Sequence, residues 1–494
     1  MTKINIWLLS VSAIAVAACS SVPITDAELP GPSATTDLPE KWAAQESPSS
    51  EYGFVQEGWL DRLAMPELSR FVSRVLENNP DYRRAARQME AAEFDLGVAR
   101  ADLLPQLRAS FAATRQHTSS PSVTRNALDV GLDASWELDV WGRLTAQKAA
   151  AASDYAVARY DLEGARLSLA AQVAQSWFAA LEAEQQYELA QRTVESFERS
   201  ERIVRHRYER GLNTGLDLRL ALSNLEAARA SLSERRDQLA QARRTLELLA
   251  GAYPAAAIRA VGQIPEDLPE VPAGLPADLL ERRPDLQAAK HRLYAVGYRA
   301  QQANKALLPS FSLTASGSNT SDNFSDLLKF DDVFWNLVGN ITQPLFQGGR
   351  LHYGAKAQEA RFEAQKEQFA ATLLQAFREV EDALSADRAL AEQVRHTARA
   401  AENAIAAEQV ALDQYSRGLI RITTLLDSQR QSLAQQSQLL LVKRQRINNR
   451  IRLHLALGGD FIISEDHQAQ NVAEEGSPRE TALQKTAYQN EEEE

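Results

Sequence analysis

Apolar residues recur at helical spacing along most of the chain, and in two stretches the spacing is a strict heptad. One stretch covers 217–250 and the other covers 426–447. The heptad positions are Leu218, Leu225, Leu232, Leu239, Leu246, Leu426, Leu433, Leu440 and Ile447. A strict seven-residue repeat predicts coiled-coil packing with a left-handed supercoil.

The lengths of the helical stretches predict how they pack. Residues 76–104 and 217–250 form half-length stretches of 29 and 34 residues, whereas 145–210 is an uninterrupted stretch of 66. Because a helix rises about 1.5 Å per residue, the long stretch predicts a rod of roughly 100 Å. We therefore expect the two half-length helices to stack end to end beside the long one.

Shorter stretches between the helices alternate strictly between apolar and polar residues. Residues 129–140 alternate without a fault beside 107–114, and a second pair follows at 310–318 and 335–341. Segments of about ten residues with one apolar face are typical of transmembrane barrel strands, although ordinary sandwich strands alternate in the same way. The candidate membrane-facing residues are Val130, Leu132, Trp136, Leu138, Phe311, Leu313 and Trp335.

Four strands are too few for a closed barrel, because about eight is the practical minimum. If these are barrel strands, several chains must therefore share one barrel. Side chains fill the interior of an eight-stranded barrel made by two chains, whereas the twelve strands of three chains leave a pore.

The chain contains two copies of one unit. The segment LENNPDYRRAARQMEAAEFDLGVARADLLP begins at Leu76, and LERRPDLQAAKHRLYAVGYRAQQANKALLP begins at Leu280, an offset of 204 residues. YERGL at Tyr208 recurs as YSRGL at Tyr415, an offset of 207. The two offsets differ by only three residues, which indicates internal duplication. The expected repeats are 59–251 and 278–459, with a Pro-rich linker at 252–277.

The N-terminus resembles a lipoprotein signal. After Lys3, an apolar run extends to residue 18 and is too short to span a membrane as a stable helix, which indicates a secretion signal. The only cysteine, Cys19, follows the residues VAA, as in a bacterial lipobox. This resemblance implies a signal peptide at 1–18, covalent lipid on Cys19 and a lipidated linker at 19–58, stably attached to a membrane. Ser20 resembles the residue that sorts such proteins to the outer membrane.

Composition argues against several classes of function. The chain is 44% hydrophobic and 24% charged, as in folded proteins, and its net charge of −12 argues against a nucleic-acid partner. Much of that charge lies in 460–494, which we expect to be a disordered acidic tail. The seven histidines show no metal-ligand spacing, and the chain has no P-loop, nucleophile elbow or HExxH motif. We therefore expect neither a metal site nor an enzyme.

Several short motifs occur in one order along the chain. They are WLDRLAMPEL at Trp59, NNPDYRRA at Asn78, LLP at Leu103 and Leu307, ITQPLFQGGR at Ile341, YSRGL at Tyr415, LLDSQR at Leu425 and LALGGDF at Leu455. With these motifs, the chain from Cys19 to about Gly459 resembles the TolC-like outer membrane factors, in particular the lipid-anchored OprM and NodT-type branch.

The resemblance implies an internally duplicated α+β membrane protein. Three chains would share a twelve-stranded transmembrane β-barrel, four strands per chain, continuous with a long coiled α-helical barrel in the periplasm. An equatorial region would be built from 252–277 and the C-terminal tail. The helix tips would close the duct by coiling inward and open it by an iris-like motion.

The resemblance also implies partners and cargo. A homotrimer in outer-membrane lipid would receive small molecules through a periplasmic adaptor protein from an inner-membrane transporter of the resistance-nodulation-division type. It would need no cofactor besides the lipid on Cys19. The sequence does not identify the exported compound.

Two groups of functional residues are implied by the resemblance. The turns that would contact the adaptor are Arg210, Gly211, Leu212, Arg417, Gly418 and Leu419. The residues of the periplasmic aperture would be Asp427, Thr424, Asp217, Tyr415 and Arg421. Three copies of Asp427 would form a negatively charged constriction. Without the family, the glycines would indicate only helix ends, and a lone aspartate only a solvated face.

Two other functions are open alternatives. A lipid-anchored periplasmic coiled-coil scaffold would explain the anchor and the heptads, but it would not need the alternating strands. An outer-membrane duct for type I protein secretion would explain all of these features. Only the resemblance favours small-molecule efflux over protein secretion.

Overall fold

Helices make up most of the structure, a computed structural model that describes residues 42–44, 58, 60, 65–265, 268, 279–327 and 334–459. The first repeat contains α1 (Pro66–Asn78), α2 (Pro80–Ala101), β1 (Gln106–Ser119), β2 (Ser122–Leu138), α3 (Arg143–Glu209) and α4 (Gly215–Leu249). The second contains α5 (Leu279–Arg282), α6 (Pro284–Lys305), β3 (Ser310–Ser321), α7 (Phe324–Leu327), β4 (Phe334–Thr342), α8 (Arg350–Ser416) and α9 (Ile422–Ala456). The predicted signal peptide, Cys19, the acidic tail and most of 266–278 lie outside the described residues.

The two repeats have elements of equal length. Both α3 and α8 contain 67 residues, both α4 and α9 contain 35, and both α2 and α6 contain 22. Heptad residues Leu225 and Leu246 of α4 are buried, as are Leu426 and Ile447 of α9. Burying each such side chain contributes about 1.5–3 kcal/mol. The predicted internal duplication is confirmed.

The prediction of one unbroken helix over 76–104 is wrong. The first helix ends at Asn78, and Asn79 has an extended backbone (φ −65°, ψ 126°) before α2 begins at Pro80. Proline lacks the N–H that a helix interior needs and disfavours helical backbone at the preceding residue. Pro284 separates α5 from α6 in the same way.

The chain divides into two compact units. One contains the described residues of 84–162 and 284–374, and the other contains those of 38–83, 163–283 and 375–494. The second unit has an apolar core around Phe71 and Trp177, whose ring centroids lie 5.3 Å apart. A further apolar cluster of this unit surrounds Phe197 and Tyr415. Among the described residues, no helix is both long and apolar enough to cross a membrane.

The first unit contains one antiparallel sheet in the order β1-β2-β3-β4. Leu132 pairs with Ala109 and with Gly317, and Gly317 pairs with Trp335. Directly paired residues of antiparallel strands project to the same side, so the apolar positions of all four strands share one face. This face, the apolar band, carries Leu107, Phe111, Val130, Leu132, Trp136, Leu138, Phe311, Leu313, Trp335, Leu337 and Ile341. All seven candidate residues from the sequence belong to it.

The first two strands differ in length from the predicted ones. The strand β1 continues to Ser119 rather than stopping at 114, and β2 runs from Ser122 to Leu138 rather than from 129 to 140. The added pairs run from Arg115 with Asn126 to Ser119 with Ser122. Because these residues are polar apart from Val123, backbone hydrogen bonds define the strands here and hydrophobic alternation does not.

Each repeat joins its half-length helices in the same way. In the first repeat, Asn79 Nδ2 donates a hydrogen bond to the carbonyl of Leu249, at the end of α4, over 2.9 Å. In the second, Arg283 Nη1 donates to the carbonyl of Ala456, at the end of α9, over 3.0 Å. These bonds satisfy carbonyls that a helix C-terminus leaves without an intrahelical donor. These two contacts, at the C-terminal ends of α4 and α9, are called the joints, and both lie within the second compact unit.

The carboxylate of Glu247 holds the chain that leaves α4. Its oxygens accept hydrogen bonds from the backbone N–H groups of Ala256 and Ala257 at 2.6 Å and of Ile258 at 3.1 Å. Ala256 has a φ of 60°, which is unfavourable for a residue with a Cβ. Burial acts to raise the pKa of the Glu247 carboxyl, but the backbone donors together lower this pKa below its ordinary value.

We expect acid to weaken this contact. Since the pKa of Glu247 is lower in the folded state, its contribution to stability is present above the unfolded pKa of 4.5 and is lost as pH falls through the folded pKa. Glu247→Gln should lower the free energy of unfolding at neutral pH and flatten its decrease in acid. Guanidinium unfolding at neutral and acidic pH measures both effects. The exposed Glu209 provides the control Glu209→Gln, and the same pH dependence in both variants would contradict this role.

Candidate functional site

The first tip, residues 210–214, is a compact turn between α3 and α4. Gly211 has a φ of 72°, and the N–H of Leu212 donates to the carbonyl of Arg207 at 2.8 Å. This geometry is a Schellman motif, in which glycine takes the left-handed position at the helix end. The turn leaves the side chain of Leu212 65% exposed, next to the exposed Arg210.

The second tip, residues 417–421, repeats this turn between α8 and α9. Gly418 has a φ of 79°, and the N–H of Leu419 donates to the carbonyl of Gln414 at 2.9 Å. Leu419 is 70% exposed, and Arg417 forms an ion pair with Asp413 at 2.9 Å. Both tips therefore present an exposed leucine beside a glycine-terminated helix.

A network around Tyr415 joins the two tips. Arg207 Nη1 donates to the carbonyl of Tyr415 at 3.1 Å, and Asn213 Nδ2 donates to its hydroxyl at 2.6 Å. Arg207 Nε also donates to Asn213 Oδ1 at 3.2 Å. The side chain of Tyr415 is buried, and burial raises the pKa of its hydroxyl.

Sequence reasoning chose Tyr415 but missed these two partners. It proposed Arg421 instead, which lies exposed at the N-cap of α9 and makes no side-chain capping hydrogen bond. Arg207 and Asn213 are more than 200 residues from Tyr415 in sequence. The duplicated YERGL and YSRGL motifs were the available signal, because they predict that the two tips are structurally equivalent.

Asp217 has a local structural partner. Its Oδ2 accepts hydrogen bonds from the N–H of Thr214 at 2.8 Å and from its hydroxyl at 2.9 Å, while Thr214 Oγ1 accepts from the N–H of Asp217 at 3.2 Å. This capping box satisfies backbone groups at the start of α4. The sequence analysis did not anticipate this role, and the part of Asp217 in an aperture stays a prediction.

Asp427 lies on the open side of α9. Its carboxylate is 66% exposed and forms an ion pair with Arg430. Thr424, one turn earlier, is also exposed, whereas the adjacent Leu425 and Leu426 are buried. The predicted aperture residues Asp427 and Thr424 therefore occupy the exposed face of the helix, opposite its packed side.

A buried glutamine connects α9 to α3 close to Asp427. Gln429 Nε2 donates to Ser196 Oγ at 2.8 Å and to Ser200 Oγ at 2.9 Å. Ser196 Oγ in turn donates to Glu408 Oε1 of α8 at 2.8 Å. Because buried polar groups need hydrogen-bonding partners, this network favours one alignment of the helices behind Asp427.

Within the part of the chain that the structure describes, no group of three His, Cys, Asp or Glu residues could hold a metal ion. The lipidation candidate Cys19 lies outside that part. The tips themselves present charge at Arg417, hydrogen bonding around Tyr415 and apolar contact at Leu212 and Leu419.

Two segments of the chain, 71–252 and 275–459, match the model of a family described as outer membrane efflux protein. The chain is 31% identical over 414 residues to the probable efflux pump outer membrane protein SepC of Pseudomonas putida, and the match covers 82% of this chain and 86% of SepC. It is 30% identical over 407 residues to the probable outer membrane lipoprotein SilC of Salmonella typhimurium, covering 82% of this chain and 88% of SilC.

The fold is also that of a solved channel structure. Crystal structures of CusC concern the conformational changes that accompany its folding and transmembrane channel formation. One of them superposes on this chain with a TM-score of 0.75 at 27% sequence identity. The match covers 85% of this chain and 97% of CusC.

Proposed function

The chain belongs to the outer membrane efflux protein family, and from this premise we propose that three copies form a closed exit duct gated at its helix tips. The protein is an outer-membrane channel of an efflux pump. The single observation that carries the proposed assembly is the sheet, with one mostly apolar face and two edge strands.

The edges of the sheet favour pairing between protomers. Among the described residues, β1 and β4 each pair with only one strand. Inside a bilayer, the N–H and C=O groups of a free edge find no water, so both edges must be paired. Pairing β1 of one protomer with β4 of the next satisfies them, and three protomers supply the twelve strands that leave a pore.

The apolar band has the height of a bilayer core. It extends along β2 from Leu138, opposite Phe311, to Leu128, opposite Ala113 and Ser321. These rows lie about ten residues apart, so strands tilted by about 40° with about 3.3 Å per residue rise about 25 Å. This height supports a membrane-facing role for the band.

Apolar side chains outside the sheet also favour assembly. Leu345 and Phe346 are 91% and 89% exposed in the single chain, and Phe94 and Val98 of α2 are exposed as well. Such exposed apolar groups mark interaction surfaces in water-soluble regions of proteins. Neighbouring protomers would cover them in the trimer.

The remaining parts of the proposal concern attachment and partners. Lipid on Cys19 would anchor each protomer in the outer membrane, as the name of SilC supports. The exposed Leu212 and Leu419 at the two tips would contact a periplasmic adaptor, which connects the duct to an inner-membrane transporter of the resistance-nodulation-division type. Small molecules would then pass through the open tips to the outside.

The mass of the detergent-solubilised particle and its conductance in planar bilayers test this assembly. A trimer that forms small, largely closed channels is expected. A monomer without conductance would refute the shared duct and favour the anchored scaffold.

We predict that Asp427→Ala loosens the aperture, because it removes a ring of negative charge and its contacts in the closed state. Single-channel conductance should rise, and block by multivalent cations should weaken. Glu226 provides a matched control, since it is 67% exposed and pairs with Arg229 three residues later, as Asp427 does with Arg430. If Glu226→Ala has the same effect, or neither variant has any, Asp427 is not the gate.

A further inference from the structure

The hairpin formed by β1 and β2 extends beyond the other two strands. The strand β3 ends at Ser321, opposite Leu128, whereas β1 and β2 continue to pair up to Ser119 with Ser122. The hairpin end, residues 114–127, therefore projects past the last row of the apolar band. Residues 115–127 of the hairpin end lie outside the two strands predicted from the sequence, 107–114 and 129–140.

The register assigns a side to each residue of the hairpin end. Arg115 and His117 follow Leu107 and Phe111 at even spacing, so they share the face of the apolar band. Arg115 pairs with Asn126, which lies on that face too. Arg115 lies one side-chain repeat, about 7 Å, beyond the last apolar row, at the level where a bilayer core gives way to headgroups.

The charge of the hairpin contrasts with the rest of the chain. No Asp or Glu occurs between Asp102 and Asp129, although the whole chain has a net charge of −12. Arg115 and Arg125 are both exposed, and in the described ranges neither guanidinium has a carboxylate or hydrogen-bonding partner. By contrast, Arg143 near the other end of the sheet pairs with Glu137 at 2.8 Å.

We propose that Arg115, with His117 and Asn126 beside it, binds the phosphate of an acidic lipid headgroup at the end of the membrane-facing sheet. A guanidinium forms paired, charge-assisted hydrogen bonds to phosphate oxygens, and the imidazole and amide supply further donors. The apolar band below Arg115 holds the acyl chains of the same lipid. This inference rests on the proposed function, because it requires the apolar band to face the membrane.

Arg125 provides an internal control. It lies in the same hairpin but pairs with Gln116, and the alternation places both on the opposite face, away from lipid. Arg115→Gln and Arg125→Gln therefore remove the same charge from the same hairpin on different sides. A lipid site depends on the side, whereas general attraction of anions depends only on net charge.

The experiment measures lipid binding to the detergent-solubilised full-length protein by native mass spectrometry. The probe is dioleoyl phosphatidic acid, compared with dioleoylglycerol, which has the same chains without phosphate, and with inorganic phosphate. Arg115→Gln should weaken the affinity for phosphatidic acid about fivefold, the effect of one basic residue near a membrane surface. Arg125→Gln should leave it unchanged.

Three outcomes would overturn the inference. Equal loss in both variants would indicate net charge, inorganic phosphate competing as well as the lipid would indicate a free-anion site, and equal binding of dioleoylglycerol would indicate apolar contact alone. Conductance of the wild-type protein in phosphatidylcholine bilayers is recorded in parallel. A conducting wild type with any of these outcomes refutes only the lipid site, whereas a wild type without conductance refutes the proposed function.

Discussion

Replacing Gly251 with alanine is expected to lower the free energy of unfolding by about 2–5 kcal/mol, because two penalties combine at one joint. Gly251 has a φ of 67°, and a Cβ built there would lie 2.8 Å from the carbonyl oxygen of Asn78. That oxygen belongs to backbone that Asn79 ties to the end of α4, so it has little freedom to move. Guanidinium unfolding of the detergent-solubilised protein, followed by tryptophan fluorescence, measures the loss.

The variant Gly211→Ala separates the backbone penalty from the steric one. The φ of Gly211 is 72°, but a Cβ there would meet no atom within 4 Å, so Gly211→Ala should cost only the backbone term of about 1–2 kcal/mol. Gly458 repeats the joint, with a Cβ contact of 2.9 Å to the carbonyl oxygen of Arg282. Gly458→Ala should therefore resemble Gly251→Ala. Equal losses at positions 211 and 251 would mean that the joint is not tightly packed.

Replacing Leu132 with arginine is expected to prevent most of the protein from assembling in the outer membrane. Leu132 lies in the apolar band and is 50% exposed in the single chain. An arginine on the lipid face of a barrel near the bilayer midplane costs about 2–4 kcal/mol, and a trimer incurs this cost in each protomer. The fraction of chain recovered as folded trimer from outer-membrane preparations measures the effect.

Ser135 provides the control on the same strand. It lies three residues from Leu132, on the opposite face of the sheet, and is exposed. Ser135→Arg should leave assembly intact, because that face would line the water-filled interior. Loss of trimer in both variants would show that the apolar band is not the membrane surface.

Much of the helical architecture was predictable because its signals are local and periodic. Heptad residues such as Leu225 and Ile447 predicted buried stripes, and the offset between Tyr208 and Tyr415 predicted two equivalent tips. The helix boundary at Pro80 was missed even though its cause, the missing N–H of proline, is local.

The candidate site was predictable only in outline. The glycines at 211 and 418 identified the turns, and both have left-handed backbone geometry in the structure. The bonds from Arg207 and Asn213 to Tyr415 were not predictable, since they depend on how two helical hairpins pack side by side. The capping role of Asp217 was readable from Thr214 three residues earlier, but the sequence analysis did not use that signal.

Spacing within one element is enough to predict which residues can bury together along a helix and which can share one face of a strand. Which faces of different strands coincide depends instead on the register between strands, and that register is seen only in the folded chain. Pairing Leu132 with Ala109 and Gly317, and Gly317 with Trp335, brings four apolar faces onto one side. A shift of one residue would have turned a strand's apolar residues to the other face. The tertiary structure likewise decided that Gly251 meets the backbone of Asn78, because contacts between distant segments depend on packing and on the backbone groups that packing leaves to be satisfied.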